Sequence, residues 1–259
     1  MTQTWPLKRV GLRVRDLSAS MAYYERLGLV QVRDERVEGS VGLGVGGQEL
    51  LTLRHTPHAR PRPRKTAGLF HFALLLPDDT ALGTFLQHSM HGGGVPIDGS
   101  SDHLVSQALY LNDPEGNGIE VYADRPREQW SMSNGQLTMD TIPLKTEALL
   151  AKAGKFSGLP TGTILGHMHL SVCDLEESIA YYEQTFGLEL KLSLYQQAGF
   201  ISWDGYHHHM GLNTWNGPNA AHHETDVSGL DFFEIARPDL SPGTFQDPNG
   251  ITVVVTENH

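Results

Sequence analysis

The feature that most constrains the fold of this chain is that it repeats itself. Leu12-Arg13-Val14-Arg15-Asp16-Leu17 is answered by Leu170-Ser171-Val172-Cys173-Asp174-Leu175, at an offset of 158 residues. The match runs through Ser20 and Ser178, and through Ala22-Tyr23-Tyr24-Glu25 and Ala180-Tyr181-Tyr182-Glu183. It closes at Gly28-Leu29 and Gly187-Leu188, one residue out of step. Each copy reads as a short strand, an amphipathic helix stopped by a glycine, and further strands. A second pair of copies links Gly68-Leu69-Phe70-His71-Phe72 and Pro77-Asp78 to Gly229-Leu230-Asp231-Phe232-Phe233 and Pro238-Asp239. Asp113-Pro114-Glu115-Gly116 then answers to Asp247-Pro248-Asn249-Gly250. The offset falls from 161 to 134, so the last copy has lost about a helix and a strand. The chain is therefore read as four units, near 6–57, 67–125, 163–216 and 228–257, with a connector at 126–162. A helix is expected in that connector at Leu144–Ala153.

Composition narrows the function classes. A formal net charge of −11 argues against a nucleic-acid partner, which would want a basic face. The proline-rich basic run Arg54–Lys65 is read as a solvated loop. The single cysteine, Cys173, rules out an internal disulfide and suits a reducing compartment. No apolar run is long enough to span a membrane, and the N-terminus lacks the apolar core of a signal peptide. A cytoplasmic location is expected. Fourteen histidines is a high count, and these are the residues to account for.

The segment His103–Glu120 concentrates chemistry. One half-buried strand can present His103 and Tyr110, seven positions apart. Asp113-Pro114-Glu115-Gly116-Asn117-Gly118 is dense in turn residues. The chain then returns as Ile119-Glu120-Val121-Tyr122, a β-prone run with an acid inside it. Glutamate is rarely buried unless it is paired or bound to a metal.

Four such strand–helix–three-strand units resemble the vicinal oxygen chelate superfamily, which includes glyoxalases and type I extradiol dioxygenases. The resemblance covers most of the chain outside the connector. It implies an α+β fold of βαβββ units paired into two cup-shaped mixed sheets, with 6–125 and 163–257 as two glyoxalase-like domains. It also implies metal ligands on the first strand of a unit, seven residues before the Asp that precedes the helix, and on its last strand. Those positions are Arg9 in unit one, His71 and Glu120 in unit two, His167 in unit three, and Phe232 and Val254 in unit four. A guanidinium cannot ligate a cation, and neither can Phe or Val. The resemblance thus implies a His71–Glu120–His167 set, suited to Fe(II), with Mn(II) fitting the same ligands. The three converge only if unit two pairs with unit three, within one chain or by exchange between subunits, leaving units one and four to form a metal-free cup. The usual extradiol order pairs units one with two and three with four. Taken singly, His71 or His167 could equally be a core histidine, and Glu120 a surface acid on an edge strand.

The segment around Tyr110 is similar to the extradiol signature: His103, Leu109-Tyr110, Asp113-Pro114, Gly116, Glu120, with Ser101 as the one departure. The resemblance implies an extradiol ring-cleaving enzyme akin to two-domain catechol 2,3-dioxygenases. It would act on a catechol-type substrate with O2, and homodimers are common in the superfamily. His103 and Tyr110 would act on substrate. Extradiol enzymes carry an acid–base histidine three residues before a small residue that is followed by an aliphatic one. Gly211-Leu212 then makes His208 that group; His209, on the opposite face by strand alternation, is the alternative for it and also a substrate-binding candidate. The triplet His207-His208-His209 could also be a polar strand end or loop. A metal-dependent isomerase or lyase of the glyoxalase type, binding Ni, Zn or Mn, is the alternative enzyme. A ligand-binding member without catalysis is the third reading.

Overall fold

The computed structural model describes residues 5–133, 136–194, 196–217 and 220–257. Unit one is β1 (Leu7–Val14), α1 (Leu17–Leu27), β2 (Val30–Glu35), β3 (Ser40–Val45) and β4 (Gln48–His55). Unit two is β5 (Gly68–Leu76), α2 (Asp79–Met90), β6 (Gly99–Asp102), β7 (Ser106–Asn112) and β8 (Gly118–Asp124). The connector holds the small hairpin β9 (Met132–Ser133) and β10 (Gln136–Leu137) and a short helix, α3 (Thr146–Leu150). That helix lies inside the expected Leu144–Ala153 but is shorter. Unit three is β11 (Ile164–Ser171), α4 (Leu175–Phe186), β12 (Glu189–Leu194), β13 (Ala198–Ser202) and β14 (Met210–Asn213). Unit four is β15 (Gly229–Ala236), β16 (Gly243–Gln246) and β17 (Thr252–Thr256), short of a helix and one strand.

The helices begin and end as the repeats require. Asp16, Asp78 and Asp174 each stand at an N-cap and accept from a backbone N–H three residues on. Gly28 and Gly187 close α1 and α4 at φ of 111° and 71°, a left-handed conformation that favours glycine. The basic run at Arg54–Lys65 leaves β4 as a loop whose arginines are met by acids: Arg54 by Asp231, and Arg60 by Glu224 and Asp226.

Two curled mixed sheets result. One runs β12-β13-β14-β11-β5-β8-β7-β6, so it is built from units three and two. The other runs β16-β17-β15-β1-β4-β3-β2, from units four and one. Units two and three therefore pair within one chain, through antiparallel β11 and β5. One continuous apolar core takes side chains from both sheets and from α1, α2 and α4. Each sheet draws one unit from 6–125 and one from 163–257.

The repeats also explain how neighbouring units lock together across the two sheets. Tyr24 of α1 donates to Asp113 in the turn of unit two at 2.8 Å, and Tyr182 of α4 donates to Asp247 in the turn of unit four at 3.1 Å. Both tyrosines are fully buried. Next to each clasp, a side chain of the turn accepts from the backbone entering the helix: Glu115 from Arg15 and Asp16, Asn249 from Cys173. A hydrogen bond to an ionised group contributes about 1.5–3 kcal/mol.

Candidate functional site

The concave face of the eight-stranded sheet collects the chemistry. β11 carries His167 and His169, β5 carries His71, and β8 carries Glu120; all four side chains are buried. Register puts His169 opposite His71, and His167 opposite Ala73. Two irregularities bracket that part of β11, at Leu165/His167 and His169/Leu170. An extra residue in a strand re-aims the side chains beside it. Gly166 occupies the first irregularity, where a Cβ would meet the Tyr122 hydroxyl at 2.1 Å.

His71 Nε2 and His167 Nε2 lie 3.2 Å apart, and they sit 3.1 Å and 3.2 Å from Glu120 Oε2. These three residues form a cluster able to hold a metal ion. Ligand atoms about 2.1–2.2 Å from a shared ion stand about 3 Å from one another when adjacent, so the spacing fits a metal. The protonation states fit as well. Burial alone would raise the Glu120 carboxyl, but His167 and then His71 outweigh it and hold it well below the usual carboxylate range. Burial takes His167 down to about 4, with Glu120 opposing only in part. A carboxylate and a neutral imidazole are the ligand forms.

Around the triad opens a cavity of about 390 Å3. His103 and Tyr110 stand on its wall, with the Tyr110 hydroxyl 2.6 Å from His103 Nε2. His103 lies in the loop between β6 and β7, and its Nδ1 donates to the Asp140 carbonyl of the connector at 3.0 Å. With the ring's one hydrogen on Nδ1, Nε2 is an acceptor and Tyr110 is the donor. Burial and then Glu120 push the Tyr110 phenol up, so it keeps its proton. His208 lines the same cavity, its ring 4.3 Å from that of His167. Burial, then the neighbouring histidines, hold His208 well below its ordinary value.

His209, expected as a substrate contact, is not brought there. It is turned away from the cavity among Trp5, Trp203 and Tyr206, and its Nδ1 is bonded to Ser202 Oγ at 2.9 Å. Alternation along the chain entering β14 is the cause: with His208 inward, His209 must face out. The triplet does lie in the loop that leads into β14, but all three side chains are buried.

Several lining residues escaped the sequence reading. His169 follows His167 by two positions, so β alternation was the available signal. It packs with Phe70, Phe200 and Trp215, at ring separations of 5.0, 5.8 and 5.3 Å. Gly211 leaves room for its ring. Leu192 and Leu194 of β12 and the connector residues Met139, Asp140 and Thr141 complete the wall, and among the described residues no Lys or Arg lines it.

The seven-stranded sheet shows what the equivalent positions became. Phe232 lies beside Gly11, where a Cβ would meet its ring at 2.3 Å. Arg9 sits over the same ring and bonds Glu234 at 2.5 Å and Glu49 at 3.3 Å. An aromatic ring and an ion-pair cluster stand where the other sheet carries its histidines and glutamate.

The sequence pattern of the Glyoxalase/Bleomycin resistance protein/Dioxygenase superfamily matches residues 7–121 and 164–241. A protein named catechol-2,3-dioxygenase, from Bacillus subtilis (strain 168), is 41% identical over 232 residues, covering 88% of this chain and 81% of the relative. Among solved structures, glyoxalase I from Zea mays aligns with a TM-score of 0.59 at 17% identity, over 97% of this chain and 92% of that one. The cppA protein from Streptococcus pneumoniae TIGR4 aligns with a TM-score of 0.57 at 13% identity, over 97% and 100%. At those identities the structural likeness speaks to the fold alone.

Proposed function

The chain belongs to the Glyoxalase/Bleomycin resistance protein/Dioxygenase superfamily, and on that premise we propose that it is an Fe(II)-dependent extradiol dioxygenase. It would open a catechol-type ring beside its vicinal hydroxyls and leave both atoms of O2 in the product. The observation that carries this reading is that the His103–Tyr110 pair and His208 share one cavity with His71, Glu120 and His167. A glyoxalase-type isomerase needs the triad but has no use for a tyrosine bonded to a histidine at its side. The sequence kinship with the Bacillus catechol-2,3-dioxygenase supports the same choice.

His71, Glu120 and His167 would hold the ion. When bound, it supplies positive charge that lowers the pKa of two vicinal hydroxyls, and coordination positions that keep catechol and dioxygen together. The chain's own residues handle the protons. His208 takes a proton from the substrate at a ring nitrogen and returns it as the ring opens. The Tyr110 oxygen accepts from a substrate hydroxyl while its own hydrogen goes to His103 Nε2, and the pair returns a proton to the product. Phe70, Phe200, Trp215, Leu192 and Leu194 exclude water and leave room for apolar ring substituents. Without a lining Lys or Arg among the described residues, a carboxylate substituent would be desolvated unpaired, so the preferred catechols are uncharged. Catechol and dioxygen together balance the ring-opened semialdehyde, so no outside reductant is needed.

The test is anaerobic loading with Fe(II), then air with catechol and substituted catechols. Oxygen uptake matched by a yellow ring-fission product supports the reading. Turnover without oxygen consumption moves the protein to the isomerase class. Loading with Mn(II) in parallel separates the two candidate metals.

A further inference from the structure

The inward face of β8 carries more than a metal ligand. Glu120, Tyr122 and Asp124 follow one another at every second position, so they point the same way. Asp124 Oδ1 lies 3.0 Å from His207 Nε2 and 3.1 Å from the Tyr206 hydroxyl, which in turn is 2.9 Å from that of Tyr122. His207 is completely buried, with its ring against Tyr206 at 3.9 Å and Trp130 at 5.3 Å. Its other nitrogen, Nδ1, lies only 2.7 Å from Nδ1 of His208.

We propose that Asp124 and His207 fix the tautomer of His208, so that it presents an unprotonated Nε2 to the cavity. An ionised Asp only accepts, so His207 Nε2 carries hydrogen. With one hydrogen on the His207 ring, its lone pair is then on Nδ1. Two nitrogens 2.7 Å apart share one hydrogen, so that hydrogen belongs to His208 Nδ1. His208 Nε2 is left bare, and among the described residues no hydrogen bond engages it. This is the opposite of the form a free imidazole side chain prefers in water. It makes His208 an acceptor for the first substrate proton. The role rests on the reading of His208 given above; the tautomer does not. Asp124 and His207 are positioning residues, since they act through His208. Of the three histidines, His208 lines the cavity, with His207 and then Asp124 bonded in sequence to it, while His209 faces away.

Imidazole nitrogen shifts decide the matter without turnover. Uniformly 15N-labelled protein loaded with diamagnetic Zn(II) is observed by long-range 1H–15N correlation, with His208 assigned by the pattern lost in His208→Gln. The expected pattern for His208 is a protonated Nδ1 and a bare Nε2, with the reverse assignment in His207. A protonated Nε2 on His208 in the unmutated protein overturns the proposal. In Asp124→Ala, His208 reverts toward the Nε2-protonated form. With Fe(II), kcat for ring cleavage then falls about 10- to 100-fold while KM and iron content hold. Tyr206→Phe removes the other donor to Asp124 without touching the polarity of the chain, and keeps the native nitrogen pattern. An equal loss of kcat in Tyr206→Phe would reduce the cluster to a packing role and refute the proposal. Failure of every catechol to react would sink the dioxygenase reading, and the spectrum would still assign the tautomer.

Discussion

Gly166→Ala is the substitution that most directly couples the fold to the site. Its Cβ would stand 2.1 Å from the Tyr122 hydroxyl oxygen and 2.6 Å from Cε1 of the same ring. Ordinary contact needs about 3.4 Å or more, so something must move by more than 1 Å. Tyr122 cannot yield cheaply, because it is wholly buried and its hydroxyl is bonded to Tyr206. Overpacking of this kind costs about 1–3 kcal/mol, and loss of the tyrosine pair adds about 1 kcal/mol. The expected destabilisation is about 2–4 kcal/mol, read as a Tm lower by about 4–16 °C. The displaced elements are β11 and β8, which carry His167 and Glu120. Metal retention after dialysis against a chelator should therefore fall with stability. In a Tyr122→Phe background the nearest contact relaxes from 2.1 Å to 2.6 Å, so the same glycine substitution should cost less there. An unchanged Tm with full metal retention in Gly166→Ala, or an equal cost in both backgrounds, would refute the claim that Tyr122 seats against a missing side chain.

Other perturbations test separate links. Glu120→Gln replaces the sole anionic ligand candidate in the cluster, and elemental analysis should find iron lost while the fold, followed by circular dichroism, persists. Full iron occupancy would mean the ligand set is wrong. Tyr110→Phe removes the donor to His103; iron content should be unchanged while kcat falls about 10²–10⁴-fold, the range for a positioned proton donor. Tyr24→Phe deletes the clasp on Asp113 and should cost about 1.5–3 kcal/mol at pH 7 in thermal or denaturant unfolding. Its pH dependence has a definite sign. Burial raises the Asp113 carboxyl above its ordinary 3.8 despite the Asn117, Tyr24 and backbone donors. A raised acid adds stability only where it is protonated, and that stability is lost as pH rises through the folded value. Losing the tyrosine donor raises it further, so the penalty of Tyr24→Phe should shrink as pH falls toward 4. A penalty that grows on acidification would contradict this.

The repeat made most of the architecture readable. Strand–helix junctions announced by Asp16, Asp78 and Asp174 and stops at Gly28 and Gly187 are local chemistry, and local chemistry is written in sequence. The pairing of units two and three came from a different argument: Arg9, Phe232 and Val254 cannot ligate, so the residues that can had to meet elsewhere. What the sequence obscured depends on tertiary path or on strand phase. His169 and Asp124 sit two and four positions beyond recognised ligands, and β alternation would have found both had it been carried past His167 and Glu120. The orientation of His207 was hidden, because the turn before β14 sets it. Met139–Thr141 lie in a connector without periodicity, and only the folded chain shows that they reach the cavity.

That connector follows from the order of the units. When the two units that form a cup are neighbours in sequence, the segment joining them is tied to that cup. Here it leaves the end of β8, and at Ile142 it exchanges both backbone hydrogen bonds with Asp102. Asp102 is the residue before His103, so the bridge holds the connector against the loop that carries the tyrosine's partner. The Asp140 carbonyl then accepts from His103 Nδ1, which directs the Tyr110 hydrogen to Nε2. The connector is thus part of the wall and also sets the hydrogen-bond direction of the Tyr110–His103 pair. In the more usual order, with units one and two or three and four paired, a connector between units two and three would join two cups and have no such reason to meet this histidine. The unit order and the orientation of a candidate proton-handling pair are in this way one structural fact. A glycine pair replacing Asp140-Thr141 keeps the backbone carbonyl, whereas deletion of the two residues removes it. The first should therefore preserve ring cleavage and the second should lower kcat without loss of iron; equal activity in both would separate the connector from the chemistry.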